Sequence, residues 1–143
     1  MIVSCLGGCR RADPVLSRSD ISSLHVATLR YMMEKTPEVR LYYVLVVDGP
    51  KDSARFPSME EIAALPREAT YRKIEALSDG KSDEPGAPLR ILGSHILRLE
   101  SIDVVEVDGS SVPGPLDGID LILRFKRDGA SWKIESERIG RIF

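Results

Sequence analysis

The sequence predicts an α+β fold in which one N-terminal helix packs on a curved antiparallel sheet of about five to six strands. Two observations carry this. Near the start, Ile21, Leu24, His25, Thr28, Leu29 and Met32 recur at helical spacing and form one stripe. Near the end, residues 119–127 and 130–137 alternate apolar and polar on either side of Asp128-Gly129. Two period-2 runs joined at Asp-Gly predict an antiparallel hairpin, because glycine accepts the positive φ such turns need. Between them the order is strand, short helix and further strands. That is not alternating βαβ, so a nucleotide-binding parallel sheet is not expected.

The elements follow in order. Ser19-Asp20 offers a helix N-cap, and the helix should stop near Thr36-Pro37, since the residue before proline disfavours the α region. Residues 39–48 form the strongest strand signal: Leu41, Tyr43, Leu45 and Val47 share one face, and Tyr42, Val44 and Val46 the other. Apolar residues on both faces predict an interior strand, or one face held for another chain. Ser58-Met59-Glu60-Glu61 reads as a capping box ahead of a short helix over 59–65 that ends at Pro66. Residues 70–77 favour a short strand, and 78–88, rich in Gly, Pro and charge, an exposed loop. Residues 89–101 and 104–107 read as strands, with Asp108-Gly109-Ser110-Ser111 as the next turn before the final hairpin.

The chain has 143 residues, a length that predicts one domain with a proper core. Residues 1–19 read as a tail or tether and 20–143 as a single α+β domain. The net charge of −2 creates no field to gather nucleic acid, and the basic residues are scattered rather than interleaved with aromatics. No apolar run is long enough for a transmembrane helix.

Both cysteines lie in the first nine residues, at Cys5 and Cys9, which excludes an internal disulfide framework. Leu6-Gly7-Gly8-Cys9 resembles a bacterial lipobox, in which the cysteine takes up a lipid and becomes the new N-terminus. That resemblance implies lipid attachment at Cys9, a polar tether, and an anchored, periplasm-facing place in the cell envelope. A signal peptide carries a basic start and an apolar stretch of about 7–15 residues, which the stretch before Cys9 lacks. The lipobox reading therefore puts the true start upstream of Met1. The alternative is a chance match in a cytoplasmic protein. The two cysteines and two histidines make no zinc-ligand pattern.

The element order, and Asp128-Gly129-Ala130-Ser131-Trp132-Lys133-Ile134 after an alternating strand, resembles the cystatin-like roll of nuclear-transport-factor-like domains. The resemblance covers residues 20–138. It implies a curved sheet wrapped around the helix and enclosing a cone-shaped cavity. Members of that group include isomerase-like, dehydratase-like and cyclase-like enzymes as well as non-catalytic binding modules, and fold alone does not choose among them.

Alternation assigns Ile119, Leu121, Leu123, Phe125, Trp132 and Ile134 to the inward face, with His95, Leu97 and Leu99 from the preceding strand. The candidate pocket residues are therefore His25, His95, Tyr43 and Trp132. An isomerase-type site would use the histidines as acid or base and Tyr43 as a donor; it would also need an inward carboxylate. None is found on the inward parity, and Asp120, Arg124, Lys126, Lys133, Glu135 and Glu137 read as a solvated face. No Ser-His-Asp order with a nucleophile elbow, phosphate loop or metal cluster is present, and no cofactor is implied. The first functional expectation is a non-catalytic envelope module binding a partner or small apolar ligand. The second is a small isomerase- or dehydratase-like enzyme. The third is a subunit that forms a homodimer through Val44 and Val46.

Overall fold

A computed structural model describes residues 15–76, 89–112 and 118–142. Helix α1 spans Arg18–Met33. Its N-cap is Ser17, whose hydroxyl accepts from the Asp20 amide at 3.0 Å, two residues before the expected cap. Asp20 is instead drawn sideways: its carboxylate takes a bidentate pair from Arg127 at 3.0 and 3.2 Å. The predicted stripe is the buried one, with Leu24, His25, Thr28, Leu29 and Met32 all enclosed. The chain leaves the helix through turns closed by the Thr36 amide on the Met33 carbonyl, just before Pro37.

Strand β1 (Leu41–Val47) leads to a two-residue strand β2 (Ala54–Arg55), the short helix α2 (Met59–Ala63) and strand β3 (Thr70–Lys73). The capping box forms as expected: Ser58 Oγ accepts from the Glu61 amide and the Glu61 carboxylate accepts from the Ser58 amide. Long strands β4 (Leu89–Ser101), β5 (Val104–Val112), β6 (Ile119–Asp128) and β7 (Ser131–Ile142) follow. The fold is α+β, but the sheet is mixed and has seven strands, in the order β2-β1-β4-β5-β6-β7 with β3 on the same edge of β1 as β2. This corrects the expected antiparallel sheet of five to six. β1 runs parallel to both β3 and β4, because the long connection through α2 returns the chain to the end where β1 began. β2 and β3 are too short to show alternation in sequence, yet each hydrogen-bonds the free edge of β1.

Two expectations about strands are corrected. The segment 108–111 is not a turn: β5 continues through it, paired on both sides. Gly109 is there because α1 crosses at that point. A Cβ on Gly109 would stand 3.0 Å from the Thr28 methyl and 3.2 Å from Met32. The turn chemistry sits instead at Gly129, whose φ of +63° closes the β6–β7 hairpin.

The second correction concerns phase. β4 carries an extra residue between Ile96 and Arg98 relative to β5. Leu99 joins the core under α1, but before the irregularity the inward residues are Leu92, Ser94 and Ile96. His95 is thereby moved to the opposite face. On β1 the helix-facing set is Tyr42, Val44 and Val46, leaving Tyr43 on the other side. Val44 and Val46 are enclosed beneath α1, so they are not the surface of a dimer. Tyr42 turns inward with its hydroxyl bonded to Thr36, donating to its carbonyl at 3.1 Å. Asp120, expected on a solvated face, is only 2 % exposed. The inward assignments on β6 and β7 hold: Leu121, Leu123, Phe125 and Trp132 are core, with Ile119 and Ile134 packed against it.

Overpacking a close crossing costs about 1–3 kcal/mol. Gly109→Val should therefore lower the urea midpoint by that amount of stability with the m-value unchanged. A variant as stable as the parent would show that α1 does not lie against β5 there.

Candidate functional site

The sequence-predicted pocket residues do not come together. His25 lies on α1 facing the sheet, and Trp132 lies on the same side but at the hairpin end. His95 and Tyr43 lie on the far face, where the His95 Nε2 is 3.3 Å from the Gly49 carbonyl. Two separate arrangements take their place.

The first is a chain of buried polar groups centred on His25. Its Nε2 is 2.9 Å from Asp48 Oδ1 and its Nδ1 is 2.7 Å from Ser94 Oγ. An ionised carboxylate only accepts, so Nε2–H donates to Asp48 and Nδ1 accepts from the Ser94 hydroxyl. Asp48 sits just past the end of β1, where it meets two arginines. Arg55 donates to both its oxygens at 2.9 Å, and Arg18 donates to Oδ2 at 3.1 Å. Arg55 also grips Glu61 through both oxygens, at 2.7 and 3.0 Å. One guanidinium thus bridges two carboxylates with its planar fork.

The charge states follow from these contacts. Burial pushes the Asp48 carboxyl up, but hydrogen bonds from Arg55, His25 and Arg18 outweigh it and hold it well below the usual range. Burial likewise raises Glu61, and hydrogen bonds from Arg55, the Ser58 amide and Ser22 bring it down to about 2. Burial pushes the His25 imidazole below its usual value, against the pull of Asp48. Both acids are therefore ionised, and His25 neutral, near pH 7.

Ser94, His25 and Asp48 carry the donor order of a nucleophile, base and orienting acid. Chemistry needs a substrate atom about 3 Å from the nucleophile. Ser94 and His25 are both at 0 % exposure beneath α1, so nothing reaches them. As folded, the arrangement is a polar bolt that joins α1 to the end of β1 and to β4 through the core.

The second arrangement is a cavity of about 650 Å³ between α1, α2 and the β6–β7 hairpin. Phe125, Trp132, Ile134, Val26, Ala27 and Ala64 give it apolar walls. Ser22, Arg30, Glu34 and Glu60 add polar groups, and Glu61 touches it from the charge cluster. Trp132 is fixed: its Nε1–H donates to Asp20 at 3.3 Å, and the Arg127 guanidinium lies 4.3 Å from its ring centroid. Tyr31 at the wall donates to Glu137, and that bond pushes its phenol up to about 12.

Of the four predicted pocket residues Trp132 lines the cavity, while His25, His95 and Tyr43 do not; the cap role of Glu61 forms as read. Sequence reasoning missed Asp48, Arg55 and Ser94. Asp48 was read only as the last residue of the strand over 39–48. Arg55 and Ser94 carry no pattern signal, because their partners lie in distant segments. Among the described residues there is no group of three or more potential metal ligands, and no helix long and apolar enough to cross a membrane. Set against protein-family models, curated proteins and solved structures, the chain matches none.

The pH dependence of stability follows with its sign. The folded state depresses the His25 pKa, so the unfolded chain takes up that proton first. This contribution is complete above about pH 6.5 and declines as pH falls below it. Glu61 adds a second loss between its ordinary 4.5 and about 2. Chemical denaturation across this range should show stability falling from pH 6.5 to 5, and His25→Gln should flatten that slope. Equal slopes in both proteins would place the titration elsewhere.

Proposed function

We propose that this chain is a non-catalytic, lipoprotein-type module of the cell envelope that holds a small apolar ligand, or an apolar segment of a partner, in the cavity beside Trp132. The observation that carries the reading is the cavity itself. It is large enough for a small molecule, with aromatic and aliphatic walls and a few polar groups, as binding sites commonly are. His25, the base an isomerase would use, is sealed away from it. Glu61, the one buried carboxylate touching it, is ionised and held by Arg55, so it has no proton to give near pH 7. A helix against a wide sheet is compatible with a cystatin-like roll, which stays part of the proposal. So does the division into a tether over 1–19 and a domain over 20–143.

The envelope location rests on Leu6-Gly7-Gly8-Cys9, which lies outside the described residues. Intact mass of the native protein from fractionated cells tests it. A diacylglyceryl chain beginning at Cys9 in the membrane fraction is expected; an unmodified N-terminus in the cytosol would overturn it.

The neutral fluorophore N-phenyl-1-naphthylamine tests the cavity. It should bind saturably at one site, and Ala27→Phe, which fills the space, should weaken it about ten-fold while the circular dichroism stays that of the parent. Absence of saturable binding by the wild type would remove the proposal.

A further inference from the structure

The chemistry of the cavity mouth narrows the class of ligand; this step rests on the cavity being a binding site. The walls from Phe125, Trp132, Ile134 and Val26 would take an apolar body. Two carboxylates, Glu34 and Glu60, line the same cavity from its two helices and are exposed. Neither has an ion-pair partner among the described residues, whereas Glu61 is neutralised by Arg55. Glu34 is the C-cap of α1, where the partial negative charge of the last carbonyls gathers. The one cation in the lining, Arg30, is turned to the Ala64 carbonyl, to which it donates at 2.8 Å. Lys35 stands over the ring of Tyr31 in the same wall, and Glu137 accepts from the Tyr31 hydroxyl, so Glu34, Glu60 and Glu137 outnumber Arg30 and Lys35 beside the apolar wall.

We propose that the cavity takes a hydrophobic cation: an amine whose apolar body lies against Trp132 and Phe125 and whose ammonium stands at the mouth between Glu34 and Glu60. This geometry leaves the charge in contact with water and buries only the hydrocarbon. A carboxylate on the same body would meet Glu34 and Glu60 with like charge.

Three probes with one chain and different heads test the charge: decylamine, decanol and decanoate, each below its micelle concentration and at low salt. Trp132 is the chain's single tryptophan, so its fluorescence reports on the cavity wall directly, and calorimetry gives an independent reading. Decylamine should bind about five-fold more tightly than decanoate, as two partly exposed ion pairs allow. Salt should shrink that ratio, and Glu34→Gln with Glu60→Gln should bring it to about two-fold or less. Equal affinities, or tighter decanoate, would overturn the cation while leaving the cavity reading intact. No response to any probe by either method would overturn both.

Discussion

The guanidinium of Arg55 sits where the fold brings two carboxylates together largely out of water. Packing α1 and α2 against β1 takes His25 and Glu61 almost entirely out of water and leaves the Asp48 side chain only 19 % exposed. Two carboxylates brought so close would repel each other, and each would lose hydration. Arg55 answers both problems with four hydrogen bonds, two to each acid. Asp48 can then keep its charge and orient His25, which in turn holds Ser94. One cation thus ties the end of β1, the edge strand β2, helix α2 and the underside of α1. Such a cluster is weak evidence for net stability, because apolar side chains of similar volume could fill the same space. What it supplies is position, since its bonds have distance and direction that hydrophobic contact lacks.

Position matters because α2 has five residues and little apolar surface of its own. Met59 is 90 % exposed, and Glu61 is the one buried residue of that helix. The Arg55–Glu61 pair therefore fixes α2 together with Ile62 and Leu65, which pack on the core, and Arg30, which bonds the Ala64 carbonyl; α2 is one wall of the cavity. The opposite wall is held by a similar device: Asp20, near the start of α1, binds Arg127 and Trp132 of the hairpin. The cavity lies between two pinned elements, while hydrophobic packing of Leu24, Leu29 and Met32 on the sheet fills the rest. Ion pairs thus stand at both margins of the space.

The far face of the sheet follows a different logic. Arg98, Glu100, Glu106, Arg124, Glu135 and Arg138 alternate in sign across neighbouring strands and pair with one another. Exposed pairs of this kind add little to stability each. They do make a polar outer surface. The last strand, an edge among the described residues, carries two register irregularities, at Glu135 and Gly140, which discourage pairing with a second sheet.

Local features were legible in the sequence. The helix stripe, the Ser58–Glu61 capping box, the span of β4 and the Asp128-Gly129 hairpin each depend on residues a few positions apart, and each formed. Inward residues of β6 and β7 were also correct, because apolar residues recur at every second position on one face, with Ile122 the exception on the other face of β6. What failed was phase and pairing. β1 is apolar on both faces, so alternation says that Tyr42 and Tyr43 point opposite ways without saying which meets α1. In β4 one extra residue near Leu97 turns His95 from the core face to the other, and period-2 reasoning passes straight through such a bulge. Gly109 read as a turn because glycine's two uses, positive φ and close approach, look alike in a sequence. The charged bolt joins residues from α1, β1, β2, α2 and β4. By itself the sequence determined the helices and the longer strands, since these are written at spacings of two to four residues; it showed neither β2 nor the second half of β5. Only the tertiary structure decided which faces meet and which charges pair, because those energies arise between groups tens of residues apart.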